Sequence, residues 1–387
     1  MKRIPFEYGN IVSGYSFTNR IAERKKLYSN MVNNINTIII SPRRWGKSSL
    51  VARVFKDISN KNKNIKTIVI DLFTVNSEEE FLELFAKEVI KASSSKWEEW
   101  VKSSKVFFKQ LIPRISFGND PLSDFSISFD LKELKKSKDE ILNLPEVIAK
   151  KKKKKIIIGL DEFQNLSSFK DYKILEKRMR SVWQRQKNVT YCLFGSKRHM
   201  MTQIFDDSSN PFYRFGDIIL LRKISKEDWI KFIYKGFGKT NKYIENSGAS
   251  LIAELMKNHP WYVQQLAHYT WNLTTENATK KEIKAALKEL IFANTPFYQK
   301  DIEQLSKTQI NLLKAVANDE TKFTSTIVME KYKLGTPRNV SKNKKILMEK
   351  DIIFNNNNKY EFLDPAFELW FNEQFLNKSI FNYFNNL

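Results

Sequence analysis

The sequence predicts an α/β protein: a parallel sheet covered on both faces by helices, then an all-helical segment, then three helices and a hairpin. Three observations lead there. Five short β-branched runs alternate with helical stretches over the first part of the chain. The first of these runs opens onto a glycine- and lysine-containing turn with a helix behind it. After the fifth run, strand-like segments are missing until a short pair close to the C-terminus.

The runs are Thr37 to Ser41 (TIIIS), Lys66 to Leu72 (KTIVIDL), Lys155 to Leu160 (KIIIGL), Val189 to Phe194 (VTYCLF) and Asp217 to Leu221 (DIILL). Each is continuously apolar rather than alternating, as expected of strands buried on both faces of a parallel sheet. The first stops at Pro42, and SSLVARVFKDI behind it has helical spacing. The fifth leads into Ser225-Lys-Glu-Asp, a start resembling a capping box.

Residues 93–130 interrupt the alternation and read as an insertion. Trp97, Trp100, Phe107 and Phe108 predict a helix, and ISFGNDPLSDFSISFDL predicts a hairpin. Six lysines, Lys150 to Lys155, read as a solvated loop before the third strand. From Ser225 to about Ile302 the pattern is helical. The stretch from Gln304 to Phe375 gives three helices, then Asp351–Phe354 and Lys359–Leu363 around an asparagine-rich turn, the layout of a winged helix. The expected domains are therefore 1–224 with the insertion at about 93–130, 225–302, and 303–387.

Composition agrees with a folded, soluble, cytoplasmic protein. Of 387 residues, 42% are hydrophobic and 28% charged, enough apolar material for real cores. No apolar run reaches the roughly 18 residues of a membrane span. The opening MKRIPFEYGN has no apolar segment of a secretory signal. A single cysteine, Cys192, precludes an internal disulfide, and one thiol with three histidines makes no structural zinc site. The net charge of +23 points toward a polyanionic partner. The excess is nevertheless lysine, 52 against 14 arginines, whereas arginine is the usual residue for forked phosphate contacts.

Ser41-Pro42-Arg43-Arg44-Trp45-Gly46-Lys47-Ser48, followed by Ser49, fits the phosphate-loop pattern everywhere except at Ser41, where glycine is usual. In such a loop, backbone N–H groups and the positive end of the next helix hold phosphate oxygens. Gly46 permits close approach, Lys47 reaches the terminal phosphates, and the Ser48 hydroxyl can ligate Mg²⁺. The third strand ends in Asp161-Glu162. On a strand beside the phosphate loop, Asp161 would hold Mg²⁺ through water and Glu162 would orient or deprotonate the attacking water. No guanine-selecting Asn/Thr-Lys-x-Asp pattern occurs, which leaves ATP as the expected nucleotide. Ser196, at the end of the fourth strand, is placed to sense the γ-phosphate or its attacking water, or else to cap the next helix. Arg214, before the fifth strand, could reach the phosphates within its own chain or from a neighbouring subunit.

Together Phe17-x-x-Arg20-x-x-Glu23-x-x-x-Leu27, SPRRWGKSSL, LDEFQNL, FGSKRHMM, NPFYRF and NHPWYVQQLA resemble the archaeal-type prokaryotic ATPases of the AAA+/STAND superfamily. The resemblance runs from about Phe6 to Phe375. It implies an α/β P-loop NTPase core, a helical lid and a C-terminal winged helix. It also implies that Ile11 to Arg20 covers the adenine with support from Arg20 and Glu23, and that Pro260 touches the base. Asn258 stands where that group usually has glycine.

The winged helix has two readings. Lys331 to Lys350 holds seven basic residues, among them Arg338, Lys342, Lys344 and Lys345, against Glu349 alone. A recognition helix would lie there and could enter duplex DNA. Over residues 300–387, however, 13 basic and 11 acidic residues nearly cancel, which also suits a protein-facing role. The function implied is a Mg²⁺-dependent ATP-hydrolysing switch, with nucleotide-dependent self-association as one way to work. Its rivals are a DNA-binding loader or transposition-type ATPase and an ATP-binding interaction protein with negligible turnover.

Overall fold

The computed structural model describes residues 4–11, 17–93, 108, 113–117, 125–356, 359–381 and 384. The chain falls into two compact units. One comprises Arg20–Arg43 and Lys47–Leu221; the other comprises Met1–Asn19, Arg44–Gly46 and Arg222–Leu387. Among the described residues, no helix is long and apolar enough to cross a membrane.

The first unit is built on strands β1 (Thr37–Ile40), β2 (Ile65–Asp71), β5 (Lys155–Asp161), β6 (Val189–Gly195) and β7 (Asp217–Leu220), with β3 (Arg114–Phe117) and β4 (Phe125–Ser128) forming a separate antiparallel hairpin. The five strands are parallel, in the order β2-β5-β6-β1-β7. Each predicted run is one of these strands. Central β1 and β6 are buried throughout, matching their unbroken apolar sequences, while edge strand β2 alternates along part of its length. Helices Ile21–Val32, Lys47–Lys61, Glu78–Ser93, Lys138–Lys152 and Tyr172–Trp183 supply the layers around the sheet. Phe85, Trp183, Tyr191 and Phe212 lie in the core, with Trp183 stacked on Tyr191 at 4.0 Å.

The strand order corrects one expectation. The strand ending in Asp161 is not beside β1, because β6 lies between them. The predicted hairpin of the insertion is present as β3 and β4, and Phe108 packs edge-on against Phe129. Trp97, Trp100 and Phe107, which predicted a helix, lie outside the described residues.

In the second unit, the helices from Lys226 to Glu303 and the C-terminal segment share one hydrophobic core. Ser225 caps its helix by accepting from the Asp228 N–H, as its sequence predicts. Two short strands, β8 (Tyr243–Ile244) and β9 (Asn277–Ala278), pair in parallel. Helices Lys307–Ala317, Thr326–Tyr332 and Pro337–Glu349 precede the hairpin β10 (Ile353–Asn356) and β11 (Lys359–Phe362), and helix Pro365–Leu376 follows. Phe362, Phe367, Trp370 and Phe371 are buried, so the aromatic tail closes this core. Phe6, early in the chain, is buried here against Phe232 and Phe237.

Candidate functional site

The residues with phosphate-binding and acidic signatures converge at the C-terminal ends of the sheet strands. β1 ends at Ile40, and helix Lys47–Lys61 begins six residues beyond Ser41. Gly46 takes φ +87°, a conformation that L side chains rarely adopt, so glycine there has a conformational reason. Ser41, Lys47 and Ser49 are buried in this unit.

Ser48 Oγ donates to Asp161 Oδ2 at 2.7 Å. Lys47 Nζ lies 3.8 Å from Glu162 Oε1. Ser196, on the strand between, donates its hydroxyl to Glu162 Oε2 at 2.8 Å and its N–H at 3.3 Å. Gln164 Nε2 donates to the same carboxylate oxygen. Helix Arg198–Asp206 has Lys197 at its cap with no side-chain bond, so Ser196 serves Glu162 rather than that helix. A Cβ on Gly195 would come 1.8 Å from Gln164 Oε1, and this close approach is what lets Gln164 reach back under Glu162. Glu162 has φ +52°, a left-handed turn that ends the strand and starts the 3₁₀ segment Phe163–Ser168. Gln164 is a contributor that the sequence did not single out.

The two carboxylates are tuned in opposite directions. Burial raises the pKa of Asp161 above the ordinary range, and the Ser48 hydrogen bond and the Lys47 charge offset only part of that. Burial also opposes ionisation of Glu162, but Lys47, with the hydrogen bonds from Gln164 and Ser196, outweighs it and holds the carboxyl below its usual value. Ser48 and Asp161 together present hard oxygen donors, a set that suits Mg²⁺, which takes few protein ligands and keeps several waters.

Among solved structures, the Walker-type ATPase PABY2304 of Pyrococcus abyssi matches with a TM-score of 0.65 at 18% identity, covering 92% of this chain and 96% of that one. The ORC2 protein of Aeropyrum pernix, in its ADPNP–ADP complexes, matches with a TM-score of 0.56 at 12% identity, covering 94% of each chain. A family model described as "Probable winged helix domain" matches residues 296–373. The chain has the fold of an AAA+ P-loop ATPase with a C-terminal winged helix. At these identities the likeness is one of fold. No curated protein matches the chain by sequence.

Within this ATPase fold, Arg44, Trp45 and Gly46 belong to the second unit. The Arg44 guanidinium donates to the Tyr262 hydroxyl at 2.6 Å and lies 4.8 Å from the centre of the Trp261 ring. Tyr262 in turn donates to Asp364, whose carboxylate caps helix Pro365–Leu376 by accepting from the Ala366 and Phe367 N–H groups. Trp45 meets His259 and Phe354 edge-on. Burial pushes the His259 imidazole down to about 3, with the Lys223 and Arg44 charges adding to the effect, so it is neutral. The sequence reading gave Arg44 and Trp45 to the nucleotide and missed Tyr262 and Asp364, whose only trace is their separate positions in the NHPWYVQQLA and FLDPAFELW segments. Pro42 is buried and Arg43 exposed.

Arg20 is buried with φ +64°, its guanidinium 3.0 Å from Glu23. Residues 12–16 of the predicted adenine-covering segment lie outside the described residues. Pro260 is the first residue of its helix, where its missing N–H costs nothing. Asn258 takes φ +58°, so asparagine adopts the left-handed conformation usual for glycine at that place.

Arg214 is exposed, φ +51°, with its guanidinium 5.1 Å from the Tyr213 ring centre. It precedes β7, whose first residue, Asp217, pairs with Thr37 at the start of β1. That is the end of the sheet remote from Ser48 and Asp161, because the strands are parallel. The structure therefore does not bring Arg214 to the phosphate loop of its own chain. On helix Pro337–Glu349, Arg338, Lys342 and Lys345 are exposed at helical spacing on one face. Lys344 points elsewhere, 4.9 Å from the Tyr360 ring centre and 5.7 Å from that of Phe323.

Proposed function

We propose that this protein is a Mg²⁺-dependent, ATP-hydrolysing switch of the AAA+/STAND type, whose nucleotide state governs engagement of duplex DNA. The observation that supports it most is the cluster of Lys47, Ser48, Asp161, Glu162 and Ser196 at one end of the sheet. The ADPNP–ADP complexes of its Aeropyrum pernix structural neighbour support an adenine nucleotide as the ligand.

Lys47 neutralises charge on the terminal phosphates, and Ser48 and Asp161 are the residues to hold Mg²⁺. Held there, Mg²⁺ would supply positive charge to offset the charge that develops as the γ-phosphate departs. Glu162, kept ionised by Lys47, accepts a hydrogen bond from the attacking water and holds it in line. Ser196 fixes the rotamer of that carboxylate. Pro260 and the segment ending at Arg20 are the contacts for adenine. The three units of function are a core (1–224), a lid (225–302) and a winged helix (303–387). The exposed Arg338, Lys342 and Lys345 favour DNA as the output, since three cations on one face of a winged-helix segment suit the phosphates flanking a groove.

The test is ATP hydrolysis by the purified protein, alone and with duplex DNA, beside Lys47→Ala and Glu162→Gln. Turnover that DNA stimulates and that both variants lose supports the proposal. Unimpaired turnover in Lys47→Ala removes the assigned site, and turnover indifferent to DNA removes the DNA output.

A further inference from the structure

A second cationic site lies at the opposite end of the sheet. β5 runs from Lys155 to Asp161, so its two ends are about 20 Å apart at 3.3 Å per residue. Around the Lys155 end is a cleft of about 680 Å³. Lys150, Lys153, Lys154 and Lys155 line it, together with Asn62, Asn64 and Asn188. None of the described residues that line it carries a carboxylate or an aromatic ring.

The backbone builds this cleft for reasons of its own. Helix Lys138–Lys152 ends in three lysines, where cations favour the negative pole of the helix. Lys153 then turns through φ +50°, and the Lys153 and Lys154 N–H groups close the helix end on the Lys150 and Ala149 carbonyls. Those two carbonyls are thereby satisfied. Beneath, buried Glu146 accepts from the Asn188 backbone and side chain at 2.9 Å each and lies 3.3 Å from Lys150. Glu146 accounts for Lys150. Lys153, Lys154 and Lys155 make no ion pair among the described residues, an unusual concentration of uncompensated charge.

We infer that this cleft binds the phosphodiester backbone of duplex nucleic acid without regard to sequence. The cleft is too large for a single phosphate and holds no arginine fork, which would grip one anion in a fixed geometry. Flexible point charges suit a repeating polyanion whose counterions they release. Without a ring to stack a base there is no platform for a single strand, which favours the duplex. This site stands apart from the phosphate loop, and it does not depend on the ATPase reading.

The experiment measures anisotropy of a fluorescein-labelled duplex of random sequence across a salt series. It compares wild type, the double variant Lys153→Gln/Lys154→Gln, the charge reversal Lys153→Glu/Lys154→Glu, and Arg338→Ala/Lys342→Ala/Lys345→Ala. The double neutralisation is expected to weaken binding about tenfold and to lower the slope of log K against log salt by about 2, one for each phosphate no longer neutralised. Charge reversal weakens it further, and the winged-helix triple variant retains the part of the slope that the cleft supplies. Unchanged melting temperature and unchanged ATP turnover in the cleft variants show that the fold and the other site are intact. The inference is overturned if wild type does not bind the duplex, if the cleft variants bind as wild type does, or if polyglutamate displaces the duplex at lower charge concentration than unlabelled duplex does. The last result would make the partner an acidic protein.

Discussion

The Ser48 hydroxyl and the Asp161 carboxylate meet at 2.7 Å although 113 residues separate them in the chain and β6 lies between their strands. They meet because Ser48 opens the first turn of helix Lys47–Lys61, directly after the loop that leaves β1, while Asp161 is the last residue of β5. Ser48→Ala removes one of the two oxygens. The expected outcome is at least about a tenfold rise in the Mg²⁺ concentration that gives half-maximal turnover, with metal-free ATP binding unchanged. A Mg²⁺ titration of initial rates checks it.

Ser196 holds the Glu162 carboxylate by a hydrogen bond. Ser196→Ala is expected to lower kcat about 10- to 100-fold, with the KM for ATP within about twofold. In the Glu162→Gln background the same change adds little, since the group it positions is already disabled. Full additivity in this double-mutant cycle would separate the two residues.

Asp161 is ionised against the cost of its burial. Its pKa is raised by burial, so the folded state binds more protons than the unfolded state. Stability therefore falls as pH rises from the ordinary carboxylate value through the raised one, and at neutral pH the ionised group is a net cost. Asp161→Asn is expected to raise the metal-free melting temperature at neutral pH and to leave it unchanged well below the carboxylate range. Glu162 has the opposite sign: its contribution is present above the ordinary value and lost as pH falls through its lowered one. Melting curves of both variants against pH read the two signs separately.

The Arg44–Tyr262–Asp364 chain places a loop residue, helix Pro260–Leu273 and helix Pro365–Leu376 in one hydrogen-bonded series. Tyr262→Phe leaves one oxygen of the half-buried Asp364 without its donor, at a cost of about 1–3 kcal/mol. A calorimetric scan is expected to show a midpoint lower by roughly 2–4 °C for each kcal/mol lost. An unchanged midpoint would mean that water replaces the hydroxyl.

Arg214 lies at the far end of the sheet from Asp161. Arg214→Ala is expected to leave per-molecule turnover unchanged at dilutions where the protein is monomeric. Any loss should appear only at concentrations where copies associate, which sedimentation can establish in parallel. A loss at every concentration would return the residue to its own chain's site.

The strands and the winged-helix layout were legible because apolar periodicity is local: TIII, KIIIGL and VTYCLF each report burial on both faces within a few residues. The phosphate loop was legible for a similar reason, since its function depends on consecutive backbone groups. The strand order was not legible. Nothing within KIIIGLDE specifies that VTYCLF, rather than TIII, is its neighbour. The end of the sheet at which Arg214 lies was hidden on the same ground, because NPFYRF does not state it. Tyr262 and Asp364 were invisible as partners, being 102 residues apart.

By itself, then, the sequence determined which segments are strands, where a glycine-containing turn opens a helix behind the first of them, and which acids follow a buried strand. Tertiary structure alone decided which of these groups meet. Ser196 reaches Glu162, Arg44 is turned to Tyr262, Lys344 leaves the face shared by Arg338, Lys342 and Lys345, and Lys150, Lys153, Lys154 and Lys155 line a cleft. The physical reason is range. Backbone conformation and burial patterns are set by neighbours in the chain, whereas hydrogen bonds and ion pairs between side chains depend on strand order and direction, which only the packed molecule fixes.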